Sequence, residues 1–168
     1  MRRFLTGVVA TLLLQASVAL LAIGFGGAPV NADRRPSALE TRLLGTAVRT
    51  SVARRAAAES EPPPPSADDL ATGAEIYGEM CARCHGDAAS RGKALGAAFY
   101  PPAPPLPGHA SPYSERELVW IVKHGIRNTA MPAWASLLSD ENIRQVAAVV
   151  KRFDVVPAAT ASRTAADE

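Results

Sequence analysis

Cys81-Ala82-Arg83-Cys84-His85 sets two thiols three residues apart at the end of an expected helix, with an imidazole directly after the second. Thiols so spaced both reach one flat ligand. Added across the vinyl groups of a porphyrin, they form thioethers, and the histidine then lies under the ring and offers a nitrogen to the iron. The pattern is the attachment signature of haem c, with His85 as the proximal ligand. Other readings of these residues explain less. A structural zinc site needs a full tetrahedral set, usually from two such pairs. Cys81 and Cys84 are the only cysteines in 168 residues, and His109 and His124 follow no finger spacing. A thioredoxin-like redox pair needs a βαβ setting, and strand-like alternation is nearly absent. A plain disulfide leaves His85 without a role.

An iron that carries electrons and excludes small molecules wants a second axial ligand. The candidates are Met80, Met131, His109 and His124. Met80 precedes Cys81 on the same helix and cannot swing to the opposite face of the ring. Met131 lies between two expected helices, where a loop lets the thioether point inward and Pro132 fixes the local backbone angle. A lone methionine is ordinarily core filling; beside the cysteine motif, Met131 is the favoured distal ligand, with His124 and His109 as alternatives.

Three helices must position these groups. Ser66 with Asp69 forms a capping pattern, followed by Leu70, Ala74, Tyr77 and Cys81 on one face. Gly73 interrupts that stripe, as a close backbone crossing would require. Ser114 with Glu117 opens a second helix through Leu118, Ile121 and Val122, which Gly125 stops. The third begins at Ser139, carries Asp140 and Glu141 where the helix dipole favours negative charge, and presents Ile143, Val146, Ala147, Val150 and Phe153 as a buried stripe up to Pro157. Pro101, Pro102, Pro104, Pro105 and Pro107 exclude regular structure between the first two helices.

The segment ahead of these helices is of another kind. No charged residue occurs from Phe4 to Ala32, and Leu5 to Ala28 is long enough for a bilayer span, which takes about 20 apolar residues. It is expected to be an uncleaved anchor with Arg2 and Arg3 on the cytoplasmic side. The alternative is a signal peptide cut near Val30-Asn31-Ala32. Leu39, Leu43, Leu44, Ala47, Val48 and Val52 then recur at helical spacing, with Arg35, Arg42 and Arg49 to the side. Such a helix suits a membrane surface, a partner subunit, or a solvated tether. Pro62 to Pro65 form an extended spacer. The expected organisation is thus a signal anchor over 1–32, a helix and proline linker over 33–65, a haem domain over 66–156 and a flexible tail over 157–168.

Charge follows this division. Residues 1–67 carry a net +4, while 68–156 carry −1 and the tail −1. The basic character belongs to the leader and linker, so nucleic-acid binding, which wants a basic folded face, has no support.

Gly73 to Gly86, "GAEIYGEMCARCHG", residues 123–134, "KHGIRNTAMPAW", and the helix from Ser139 to Phe153 together resemble a class I cytochrome c domain. More narrowly, the chain is similar to small membrane-anchored bacterial cytochromes with one haem. The resemblance covers 66–156 well and the leader only in plan. It implies an all-α fold in which the first and last helices cross near Gly73 and Tyr77. It also implies a proline-bearing loop whose carbonyl meets the free nitrogen of His85, with Pro102 or Pro105 nearest that role.

The implied function is one-electron transfer by covalent haem c and its iron, with His85 and Met131 as axial ligands. Haem attachment occurs outside the cytoplasm. The expected location is therefore the bacterial inner membrane with the haem domain in the periplasm, or the periplasm alone if the leader is cut. Partners would be redox proteins: membrane donors and acceptors, or dehydrogenase and oxidase subunits. Membership of a multi-subunit oxidoreductase is one rival reading, and a sensor or peroxidase-like site with an open iron position is another. No triad, phosphate loop or paired carboxylates suggest an enzyme in its own right.

Overall fold

The computed structural model describes residues 1–27, 30–87 and 95–153. The chain forms two compact units, Met1–Asn31 and Ala32–Glu168. The first is a single helix, α1 (Arg2–Gly24), whose 23 residues bury no side chain and are long and apolar enough to cross a membrane. It ends at Gly24, and Ala28 lies outside the described residues.

The second unit is all-helical, with no strand among the described residues. It contains α2 (Ala38–Ala56), α3 (Ala67–Ile76), a π turn (Tyr77–Cys81), α4 (Ala82–His85), α5 (Glu115–His124) and α6 (Asp140–Lys151). Short 3-10 turns occupy Leu95–Ala98 and Trp134–Ser136. Each main helix starts where its cap residue dictates. The Ser66 hydroxyl accepts from the Asp69 amide at 3.1 Å, and Asp69 accepts from the Ser66 amide at 2.9 Å. Ser114 and Glu117 exchange the same pair of bonds, so two otherwise orphaned donors are satisfied at each start. Ser139 caps α6 through the Asn142 amide.

α3 packs chiefly against α6. Gly73 makes this possible: a Cβ there would lie 2.6 Å from the Gln145 carbonyl carbon and 2.9 Å from Val149 Cγ2. The Asp69 carboxylate, receiving from the Gln145 amide at 2.9 Å, bridges the same two helices. Below the crossing, Tyr77 meets Phe153 edge-on with centroids 4.7 Å apart, and the core continues through Leu118, Val146, Ala147 and Val150. α5 lies beside α6 and buries Leu118, Ile121 and Val122.

Three details differ from the sequence-based expectations. Ala74 is exposed, because the close face of α3 runs through Gly73 and Tyr77 instead. α6 ends at Lys151, two residues short of the expected Phe153. The Arg152 guanidinium there donates to the Ala148 carbonyl at 2.8 Å, satisfying an acceptor that another helical turn would have used. α2 packs on α5 with Val52 and Ala56 at 2 % and 1 % exposure, so it belongs to the same compact unit as the haem-motif helices. Leu39, Leu43 and Leu44 of its first half stay exposed. Pro157, residues 154–156 and the tail lie outside the described residues.

Candidate functional site

The cysteine motif follows a local widening of the helix. At the end of the π turn the Ala82 amide donates to the Tyr77 carbonyl, five residues back. Such single widened turns are frequent at functional sites. Cys81 closes the turn and Cys84 lies on α4; both are half-buried and are not joined to each other. α4 ends at Gly86, whose φ of 82° is the left-handed backbone that glycine adopts without strain.

The segment 95–108 folds around this motif. The carbonyl of Pro104 can only accept, so His85 Nδ1 carries the proton in the 2.9 Å bond between them. Nε2, on the other side of the ring from this bond, is then the nitrogen that can face a metal. The Leu106 amide donates to the His85 carbonyl at 3.1 Å. Gly96 packs directly on the Cys84 carbonyl, and a Cβ at Gly96 would also lie 2.6 Å from that of Ala103. The loop carbonyl expected for His85 is present, but it comes from Pro104 rather than Pro102 or Pro105. A proline run has no periodicity from which to read which carbonyl points inward.

Burial pushes the Cys81 thiol up to about 11, with the neighbouring Cys84 adding to the effect. A dithiol built for exchange chemistry has a lowered thiol pKa instead. No three His, Cys, Asp or Glu side chains converge as a metal-ion site among the described residues. The two thiols and the imidazole therefore do not close on one ion. They suit a macrocycle that takes sulfur at its rim and imidazole at its centre, with His85 held by the kind of outer hydrogen bond that fixes a ligand's ring.

Met131 lies in the loop between α5 and the turn at Trp134. The Ile126 amide donates to the Met131 carbonyl at 3.2 Å, and the Met131 amide donates to the Thr129 hydroxyl at 3.1 Å. That hydroxyl in turn donates to the Ile126 carbonyl at 2.7 Å. Gly125, at φ 66°, sits where a Cβ would come within 2.7 Å of the Met131 carbonyl oxygen. His124 is exposed and tilts against Trp120 at 4.8 Å between centroids, and His109 is an exposed loop residue bonded to the Pro107 carbonyl.

Comparison with known proteins bears on the family. Residues 68–149 match the family described as cytochrome C oxidase, cbb3-type, subunit III. Cytochrome c6 of Thermosynechococcus vestitus is 37 % identical over 87 residues, which cover 50 % of this chain and 70 % of the relative. Cytochrome c6 of Synechococcus elongatus is 36 % identical over 85 residues, covering 49 % of this chain and 87 % of the relative. The chain belongs to the class I c-type cytochromes. Its cofactor is covalently bound haem c with iron, and its activity is haem-based electron transfer with redox protein partners. It is an electron carrier rather than an enzyme in itself.

Reasoning from the sequence did not anticipate two contacts of this cytochrome. Gly96 against Cys84 brings together residues whose loop has no regular period. The Tyr77 hydroxyl donates to the Gly86 carbonyl at 2.6 Å across the whole motif; the only trace of it in the sequence is a tyrosine four residues ahead of the first cysteine.

Proposed function

We infer that this cytochrome is a tethered one-electron carrier in which Cys81 and Cys84 hold the haem and His85 and Met131 are its axial ligands. When bound, haem c supplies a reversible one-electron couple. His85 would present Nε2, with its ring oriented by the bond from Nδ1 to the Pro104 carbonyl. Met131 would supply the thioether opposite, and a methionine with a histidine raises the potential. The loop bonds from Ile126 and Thr129 restrain the backbone that carries it. Two protein ligands, His85 and Met131, would leave no open position for small molecules. α1 would hold the domain at the periplasmic face of the bacterial inner membrane and raise its effective concentration near membrane partners.

The observation that carries this reading is the Cys81-x-x-Cys84-His85 motif with His85 Nδ1 engaged by the Pro104 carbonyl. Met131→Ala tests it. Covalent haem should survive, while cyanide in the ferric form and carbon monoxide in the ferrous form should bind where the wild type resists them. Axial ligation unchanged in that variant would rule out Met131.

A second reading has its own support. The match over 68–149 is to a family named for an oxidase subunit, so the cytochrome could work as a fixed subunit of a multi-subunit membrane oxidoreductase. Gentle solubilisation of the full chain separates the two: a stoichiometric partner would favour the subunit, and a monomer competent in electron exchange would favour the free carrier.

A further inference from the structure

Tyr77 and Gly86 bracket the haem-attachment motif, nine positions apart, and a single bond of 2.6 Å ties the phenol of one to the carbonyl of the other. We propose that Tyr77 is a positioning residue for the proximal histidine: its hydroxyl closes the chain into a loop around Cys81–His85 and fixes the backbone from which the His85 ring projects. The proposal rests on the reading of His85 as the iron ligand.

Both ends of the tie are suited to the task. The Tyr77 ring is 5 % exposed and packs edge-on against Phe153 below the α3–α6 crossing, so the phenol is anchored in the core. Its burial raises the phenol pKa above the ordinary value, which keeps the hydroxyl a proton donor throughout the working pH range. Gly86 is the residue at which the backbone leaves α4. Its amide donates to the Ala82 carbonyl at 2.7 Å, so the Tyr77 bond gives its carbonyl a partner as well.

His85 thus stands between two supports of different origin. On the loop side, Pro104 holds its ring and Leu106 its carbonyl. On the core side, Tyr77 holds the carbonyl of the next residue, Gly86. Phenylalanine would fill the same space and keep the contact with Phe153, but it would leave the Gly86 carbonyl without this donor. The hydroxyl, not the ring, is therefore what the proposal concerns.

The test compares Tyr77→Phe with Phe153→Leu in the full holoprotein. Amide hydrogen exchange is read together with the ferric electron paramagnetic resonance spectrum and the midpoint potential. In Tyr77→Phe, covalent haem should be retained. Local opening should speed exchange at the Gly86 and Leu106 amides by about tenfold, with amides of α6 within about twofold of wild type. The resonance should broaden and the potential shift, as expected of a ligand ring free to sample more orientations. Phe153→Leu keeps the hydroxyl, so it should lower the melting temperature while moving these local readouts much less than Tyr77→Phe does. The proposal is overturned if Gly86 and Leu106 exchange as in wild type in Tyr77→Phe, or if Phe153→Leu moves them equally. Whether His85 ligates the iron is read separately from the wild-type spectrum, so failure of the site reading would not be mistaken for failure of the tie.

Discussion

Gly73→Ala offers a direct test of the helix crossing on which the haem site is built. In a solvent-exposed helix interior this substitution gains about 1 kcal/mol, because alanine loses less backbone freedom than glycine. At Gly73 the added methyl would meet the Gln145 carbonyl group and Val149 Cγ2 at 2.9 Å. Overpacking of a close-fitted contact costs about 1–3 kcal/mol. The obstacle here is mainly backbone, which cannot rotate away, so the upper end of that range applies. The two effects leave a net loss of about 2 kcal/mol, and for a unit of this size the melting temperature should fall by about 5–10 °C. The assay is thermal unfolding of the ferric holoprotein by far-UV circular dichroism, with Gly78→Ala alongside. Nothing lies within 4 Å of a Cβ at Gly78, so that variant should be neutral or slightly stabilised. If Gly73→Ala melted at or above the wild-type temperature, α3 and α6 would not approach as closely as described, and the packing that supports Tyr77 would need another explanation.

Two further outcomes follow from particular contacts. Asp69 is held down to about 2 from its ordinary 3.8, first by the Gln145 side-chain bond and then by the Ser66 hydroxyl and amide. Because the folded pKa is the lower one, this contribution is complete above the unfolded value and disappears as pH falls from about 4 through 2. In pH-dependent melting, Asp69→Asn should therefore cost stability at neutral pH but narrow its gap to wild type on acidification; a gap that stays constant down to pH 2 would contradict the assignment. Gly125→Ala would strain a left-handed residue and push on the Met131 and Pro132 backbone. It should weaken methionine ligation, seen as easier cyanide binding to the ferric protein, with covalent haem retained; unaltered cyanide resistance would mean that this loop does not set the distal ligand.

The parts of this fold that sequence reasoning reached are those with a local code. Ser66/Asp69 and Ser114/Glu117 announce their helices because a cap and its partner are three residues apart in any context. The stripes of α5 and α6 are periodic, and their burial of Leu118, Ile121, Ile143 and Val146 follows directly. The cysteine motif is equally local. What escaped depends on chain segments far apart in sequence. Pro104, rather than its neighbours, meets His85 on an irregular segment that also brings Gly96 against Cys84, and neither contact has a local period. α2 reads as a linker helix because an apolar stripe beside arginines suits a membrane surface or a partner as well as a neighbouring helix, yet Val52 and Ala56 find that neighbour in α5. At the end of α6 the Arg152 guanidinium, not a helix-stop residue, meets the Ala148 carbonyl.

The most direct check on the central claim is the optical spectrum of the ferric holoprotein in the long-wavelength region where methionine–iron ligation gives a weak band. The band should be present in the wild type, absent in Met131→Ala, and unchanged in His109→Ala and His124→Ala. A wild type without it, or a Met131→Ala variant that keeps it, would contradict a haem held between His85 and Met131.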